Sequence, residues 1–177
     1  MAGVLALTVG PAAQAVPSGD VAGGWRTELA ALTLPIDEAA DLLGVSYPLS
    51  PDFRARCSTK QGFRACTYDY LLVATQYPFT APFATSAAQF ADAGAAEAFL
   101  QGQGSGVGVV PRGARPGHVA VLVLDDKDPD SHVAIRHVRR GSIVLSAGCT
   151  DNGTGAAAAL ACTRTLIDAM LDRWAAP

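Results

Sequence analysis

Hydrophobic positions along this chain follow two different periods, and the change of period predicts where helices and strands occur. Near the start, Ile36, Ala39 and Leu43 recur every three to four residues, which predicts an amphipathic helix that begins at Pro35. Gly44 then supplies the kind of residue that commonly ends a helix in the left-handed conformation. We expect this short helix to bury one face.

Between residues 53 and 78 the period changes to two, with aromatic and β-branched residues at alternate positions. This alternation predicts two antiparallel strands that meet at a turn over Lys60, Gln61 and Gly62. The segment 78–86 contains two prolines, and we expect it to be a loop.

A second helix is predicted to begin at Ser86, because Gln89 three residues later completes a capping box. The helical pattern continues to Leu100, and the glycine-rich stretch 102–108 ends it. The glycines of this stretch fit neither spacing that cradles phosphate groups, so we expect a flexible connection or an active-site-like lid there.

The C-terminal third contains three β-branched segments, which predict consecutive antiparallel strands over 118–125, 132–140 and 142–149. An alanine-rich helix over 154–174 follows. The order of elements is therefore α-ββ-α-βββ-α. Strands adjacent in sequence tend to pair, and helices between them cover the sheet, so the predicted fold class is α+β: an antiparallel β-sheet covered by helices.

The N-terminal region divides at residue 15, and a single α+β domain is predicted over 28–177. Residues 1–15 form an apolar run that ends in alanine, glutamine and alanine, which is typical of the C-terminal part of a signal peptide. No basic residue precedes Arg26, so we interpret the signal as truncated at its start; an apolar strand or tail is the alternative. Residues 16–27 are expected to be a flexible mature N-terminus.

The four cysteines form two close pairs, Cys57 with Cys66 and Cys149 with Cys162, and neither pair has zinc or redox-motif spacing. Proximity favours one disulfide within each pair, although four cysteines allow three connectivities and buried free thiols are an alternative. Disulfides persist in oxidising compartments, which supports a secreted, extracytoplasmic location. No apolar run is long enough to span a membrane, and no cysteine near residue 15 offers a lipid anchor.

Composition narrows the class of partner. The net charge is −3, which argues against nucleic-acid binding because that function calls for a basic surface. Thirteen residues are basic, yet Lys60 and Lys127 are the only lysines. Together with the abundant alanine, this preference for arginine indicates a GC-rich coding sequence and hence an actinobacterial source.

The stretch from Asp125 to His132 carries carboxylates at alternate positions and is the main candidate for a metal site. An EF-hand loop needs glycine at its sixth position and glutamate at its twelfth, but these are Ser131 and His137. We interpret the stretch as a turn, and we predict no metal site and no cofactor.

Catalytic motifs are also absent from the sequence. His132 and His137 are an odd number apart and point to opposite faces of one strand, while His118 opens a strand that can place it across from His137 or near it. No nucleophile elbow or free cysteine beside a histidine occurs. We therefore assign no catalytic residue.

The predicted ligand-binding residues are cationic and aromatic side chains of the loop and strands. They are expected to form an anion-binding or cleft-lining surface, with a solvated sheet edge and ordinary sheet packing as the alternatives. The set is Arg112, Arg115, Arg136, Arg140, Tyr68 and Tyr70.

Several segments together resemble actinobacterial exported sensor-type domains, such as the extracellular sensor domains of PknH-like kinases and related secreted lipoprotein domains. These segments are "LTLPIDEAADLLG", the two cysteine pairs, and "VRRGSIVLSAGC" leading into an alanine-rich helix. The resemblance covers most of residues 28–175. It implies a helix-covered antiparallel sheet with a cleft, two disulfides and an extracellular ligand, and it carries over no catalytic residue. The chain shows neither a kinase nor a transmembrane segment.

The first hypothesis for function is a secreted, non-enzymatic, sensor-like domain that binds an unidentified extracellular small molecule or anionic ligand. One alternative is a secreted hydrolase whose residues converge only in the fold. Another is a protein-binding module such as a protease inhibitor. A deep pocket lined by Arg and Tyr would favour the first, and a buried carboxylate or histidine pair in such a pocket would favour the second. An exposed rigid loop beside a disulfide would favour the third.

Overall fold

The protein folds as a single antiparallel sheet with helices on both sides, in a computed structural model. The structure describes residues 24–44, 56–60, 62–69, 83–103, 109–111, 117–125, 128–150 and 155–175. The helices are α1 (Gly24–Leu32), α2 (Ile36–Leu43), α3 (Ala93–Gln103) and α4 (Ala156–Ala175). The strands are β1 (Arg56–Lys60), β2 (Phe63–Asp69), β3 (Phe83–Phe90), β4 (Val109–Pro111), β5 (His118–Asp125), β6 (Asp128–Arg140) and β7 (Ile143–Thr150).

The seven strands lie in the order β1-β2-β3-β7-β6-β5-β4, and each neighbouring pair is antiparallel. The predicted α+β class is confirmed, as are the β1–β2 hairpin and the run of β5, β6 and β7. Gly62, in the first hairpin turn, has a φ of 90°, which is a conformation that glycine adopts without strain.

Helices α1, α2 and α4 cover one face of the sheet, which we call the helix-covered face. Its core joins Leu29 of α1 and Leu34 of the α1–α2 corner to Leu166 and Met170 of α4, over Leu145 and other apolar residues of the strands. Helix α2 ends as predicted, with Gly44 left-handed at a φ of 65°.

The corner between α1 and α2 is held by two polar residues from distant parts of the chain. The hydroxyl of Thr85 on β3 accepts a hydrogen bond from the Leu34 backbone N–H at 3.3 Å and donates one to the Leu34 carbonyl at 3.0 Å. Arg173 of α4 donates to the Thr33 carbonyl at 3.2 Å and forms an ion pair with Glu38. The corner is therefore attached both to the sheet and to α4.

Both disulfides form within the predicted pairs. Cys57 and Cys66 are directly opposite each other on β1 and β2. Cys149, near the end of β7, bonds to Cys162 on α4 and so connects the sheet to the helix that covers it.

The predicted helix start at Ser86 is wrong. Residues 83–90, which include part of the segment expected to be a loop, form strand β3, and the helix begins at Ala93. Its cap is Asp92, whose Oδ1 accepts a hydrogen bond from the Ala95 N–H at 2.8 Å. Strand β3 pairs along its length with β2 on one side and β7 on the other, and this pairing outweighs the local capping signal.

The chain reverses direction between Asp125 and Asp128, which pair at the junction of β5 and β6. The predicted turn is shorter than expected, because strand β6 begins at Asp128 and not at 132. His118 lies across from Val138, and Val119 lies across from His137. His118 is therefore not opposite His137, and the two occupy positions on different faces. Among the described helices, none is long and apolar enough to cross a membrane.

Helix α1 begins at Gly24, before the expected domain start at residue 28. Residues 1–23 lie outside the described part of the chain, so the signal-peptide interpretation stays a prediction.

Candidate functional site

The face of the sheet opposite α1, α2 and α4 is covered by α3 at one end, and we call it the open face. Phe99 and Leu100 of α3 pack against Phe63, Phe90 and Val144 of the strands. The Phe63 and Phe90 ring centroids are 5.2 Å apart, and those of Phe90 and Phe99 are 5.0 Å apart. This aromatic cluster closes one end of the open face.

A cavity of about 380 Å³ lies beside this cluster on the open face. Ligand pockets in proteins commonly begin at about 300 Å³, so its size suits a small organic molecule. Its described lining is Ser58, Lys60, Phe63, Ala65, Thr67, Ala84, Thr85, Ser86, Ala88, Phe90, Phe99, Gln103, Val133, Ile135, His137, Ser146, Ala147, Gly148, Cys149 and Thr150.

Small side chains on the central strands create this cavity. Successive residues of a strand point to opposite faces, so Ala84, Ser86 and Ala88 of β3 share the open face, together with Ser146 and Gly148 of β7. None of them is large enough to fill the space that the walls enclose. The residues that alternate with them point to the other face, and they include Phe83 and Leu145, which pack beneath the helices.

His137 of β6 is the buried titratable residue of this cavity, with 5% of its surface exposed. Its Nδ1 lies 2.7 Å from the hydroxyl of Ser146, directly across on β7. Its Nε2 is buried and has no hydrogen-bond partner among the described residues. The ring also meets Phe99 edge-on, at a centroid distance of 5.7 Å.

Burial lowers the pKa of His137 to about 4, so the imidazole is neutral at physiological pH. Among the described residues at the site, the charged groups are either paired or exposed. Arg139 of β6 pairs with Glu97 of α3 at 2.9 Å, and Lys60 is exposed at the end of β1, 6.0 Å from the Phe63 ring centre. The described lining is therefore mainly apolar, and its polar features are a neutral imidazole, a few hydroxyl groups, the Gln103 amide and the exposed Lys60.

Between pH 7 and pH 5 the protein should lose about 2 kcal/mol of unfolding free energy through His137 alone. The pKa of His137 is 6.5 in the unfolded chain and about 4 in the folded protein. As the pH falls through this window, the unfolded state binds a proton that the folded state excludes, so stability falls; above pH 7 both states are neutral. Urea unfolding at the two pH values measures the loss, and in His137→Gln the unfolding free energy should fall less between pH 7 and pH 5. An equal fall in this variant would contradict the assignment of the pH dependence to His137.

Two of the predicted ligand-binding arginines lie away from the cavity. Arg136 and Arg140 share a face of β6, as expected, but it is the helix-covered face. The guanidinium of Arg140 lies 5.5 Å from the Trp174 ring centre on α4. Burial and the nearby Arg164 cation lower the pKa of Arg136, with Asp168 opposing them. The structure therefore does not bring these two arginines to the cavity.

The side chains of the other four predicted residues lie outside the described part of the structure. Tyr68 belongs to β2, where its backbone pairs with Thr85, and its side chain is outside the description. Tyr70, Arg112 and Arg115 lie outside the described residues. Their role in ligand binding stays a prediction.

Sequence reasoning missed the cavity and the role of His137 in it. One signal was available, because both central strands carry small residues at alternate positions, at 84, 86 and 88 and again at 146 and 148. Such an alternation indicates a sheet face that neighbouring elements do not fill. Within the described residues, no three histidine, cysteine or acidic side chains are grouped as a metal ion would require.

Comparisons with known proteins support the fold. No protein-family model matches the chain, and no curated protein matches it. Among solved structures, the crystal structure of the extracellular domain of PknH from Mycobacterium tuberculosis is similar, with a TM-score of 0.54 and 12% sequence identity. The match covers 82% of this chain and 96% of that chain. At this identity the likeness concerns the fold alone.

Proposed function

We propose that this protein is a secreted, non-enzymatic, sensor-like domain that binds a small, mostly apolar molecule in the cavity of the open face. The observation that carries the proposal is a pocket of about 380 Å³ between the aromatic cluster and the small residues of β3 and β7. Its size and its apolar lining with few polar groups are typical of small-molecule sites.

Two further observations support the extracellular part of the proposal. Both cysteine pairs form disulfides, which persist in oxidising compartments and are rare in cytosolic proteins. The fold is also similar to that of an extracellular domain. An anionic ligand, as in the first hypothesis, is less suited to the described lining, since Lys60 is its only cation and is exposed.

The hydrolase alternative would use the contact between His137 and Ser146, with the imidazole as general base. Efficient general bases have a pKa near the working pH. The low pKa of His137, about 4, makes it a poor base at neutral pH. The contact therefore favours a binding role over a catalytic one. The protein-binding module remains a hypothesis that the cavity does not favour.

Fluorescence of N-phenyl-1-naphthylamine, a neutral apolar dye, tests the proposal. The dye should bind with saturable, one-to-one enhancement. Ser86 lines the cavity, so Ser86→Trp places an indole in it, and we expect binding to weaken by about tenfold or more, equivalent to about 1.4 kcal/mol. Ala161→Trp, on the exposed surface of α4, is the matched control and should bind like the wild type.

Absence of saturable binding by the wild type would contradict the proposal. Equal binding by Ser86→Trp would contradict it as well, because the dye would then occupy another place. Native mass spectrometry of protein purified from its host complements this test, since a retained small molecule would appear as a mass adduct.

A further inference from the structure

We propose that the Nε2–H of His137 donates a hydrogen bond to the bound molecule, so that the cavity selects neutral apolar compounds carrying a carbonyl-type oxygen. This inference rests on the proposed function and specifies the chemical class of the ligand. It assigns His137 as the residue that determines specificity.

The tautomer follows from the contact with Ser146. The Ser146 hydroxyl carries one proton, and its only hydrogen-bond partner among the described residues is Nδ1 of His137, at 2.7 Å. Donation to Nδ1 pairs this proton, whereas acceptance from an Nδ1–H would leave it without a described acceptor, so the geometry favours a donating hydroxyl and an accepting Nδ1. In a neutral imidazole one nitrogen accepts while the other carries the proton, so the proton resides on Nε2.

The ring borders the cavity, and a small shift of the ring on ligand binding would bring this buried N–H to the ligand. Nε2 is shielded from solvent, and the described residues offer it no acceptor, although the ring lines the cavity. A buried donor without an acceptor is unfavourable. A ligand oxygen placed beside Nε2 would satisfy it, whereas a hydrocarbon of the same shape would leave it unpaired.

The surroundings favour a neutral acceptor over a carboxylate. The elements that contact the imidazole present Phe99 from α3, Val119 from β5 and Ser146 from β7, all of which are uncharged. The nearby ionic groups of α3 and β6, Glu97 and Arg139, already pair with each other. A buried carboxylate would thus lose its hydration without gaining a cationic partner next to the imidazole from the described residues.

A matched pair of competitors tests this inference. The compound 2-acetylnaphthalene carries a carbonyl oxygen, and 2-isopropenylnaphthalene has nearly the same planar shape with a CH₂ group in its place. In displacement of N-phenyl-1-naphthylamine from the wild type, we expect the acetyl compound to bind about tenfold more tightly, as for one good hydrogen bond to a buried group.

Two substitutions of His137 separate its two nitrogens. The amide nitrogen of glutamine in His137→Gln reaches the position of Nε2, so the preference for the acetyl compound should be retained. The shorter asparagine in His137→Asn can replace only the Nδ1 contact with Ser146, so the preference should disappear while dye binding remains.

The outcomes distinguish this inference from the proposed function. Equal affinity of the two competitors for a wild type that binds the dye overturns the inference alone. A preference retained in His137→Asn also overturns it, because the donor would then lie elsewhere. Absence of dye binding overturns the proposed function instead.

A spectroscopic measurement on the wild type serves if the variants do not fold. In ¹⁵N-histidine-labelled protein, the Nε2–H tautomer should be observed for His137, and its proton should shift downfield with 2-acetylnaphthalene but not with 2-isopropenylnaphthalene. Observation of the Nδ1–H tautomer would contradict the inference.

Discussion

Replacement of Thr85 by valine should destabilise the protein by about 3 kcal/mol, measured by urea unfolding. Valine keeps the shape of threonine but removes the hydroxyl that both accepts from the Leu34 N–H and donates to the Leu34 carbonyl. Thr85 is 2% exposed and Leu34 is 0% exposed, so water cannot replace the lost partner. Both backbone groups of Leu34 would be left without the hydroxyl, and each unsatisfied buried group costs about 1–3 kcal/mol.

Two variants control for this effect. Thr85→Ser retains the hydroxyl and should recover most of the lost stability. Thr163 of α4 is equally buried, and its hydroxyl donates to the Leu160 carbonyl at 2.9 Å. That carbonyl also accepts the regular helix bond from residue 164, so Thr163→Val should cost less than about 1 kcal/mol. Similar losses in Thr85→Val and Thr163→Val would show that the connection to the α1–α2 corner has no special role.

Removal of the Cys149–Cys162 disulfide should also cost about 3 kcal/mol. The two cysteines are 13 residues apart, and the chain-entropy model assigns a loop of this length a stabilisation of about 3 kcal/mol. The bond connects β7 to α4, whose Leu166, Ile167 and Met170 supply much of the helix-covered core. The double variant Cys149→Ala with Cys162→Ala should therefore unfold at a lower urea concentration and a lower temperature.

The second disulfide provides the comparison. Cys57 and Cys66 are 9 residues apart and connect an edge strand to its hairpin partner, so the corresponding double variant should lose about 2.5 kcal/mol. Its loss should leave α4 in place. A Cys149/Cys162 double variant as stable as the wild type would mean that the packing of α4 alone holds the helix against the sheet.

Elements with strong local signals could be predicted from the sequence. The β1–β2 hairpin followed from alternation around a glycine turn, and α2 followed from helical spacing that ends at Gly44. The disulfide pairs followed from proximity, because the cysteines of each pair lie in adjacent elements. In each case neighbouring residues determine the conformation, so the chain's own pattern is sufficient.

Strand β3 could not be predicted in this way. Ser86 and Gln89 form a plausible capping box, yet both residues pair with neighbouring strands on each side. Hydrogen bonding to β2 and β7 outweighs a capping preference because it involves the whole segment. The partners are distant in sequence, and their effect is not visible in a local window.

The sequence by itself determined the helical and strand periods of most elements, the hairpins and the pairs of cysteines, because these depend on residues close along the chain. Only the tertiary structure decided which face of the sheet the helices cover. That choice places Arg136 and Arg140 beneath α4 and leaves His137 beside the small residues of the open face. The cavity exists because residues from β2, β3, β6, β7 and α3 surround a space that none of them fills, and a local sequence pattern does not specify such an arrangement.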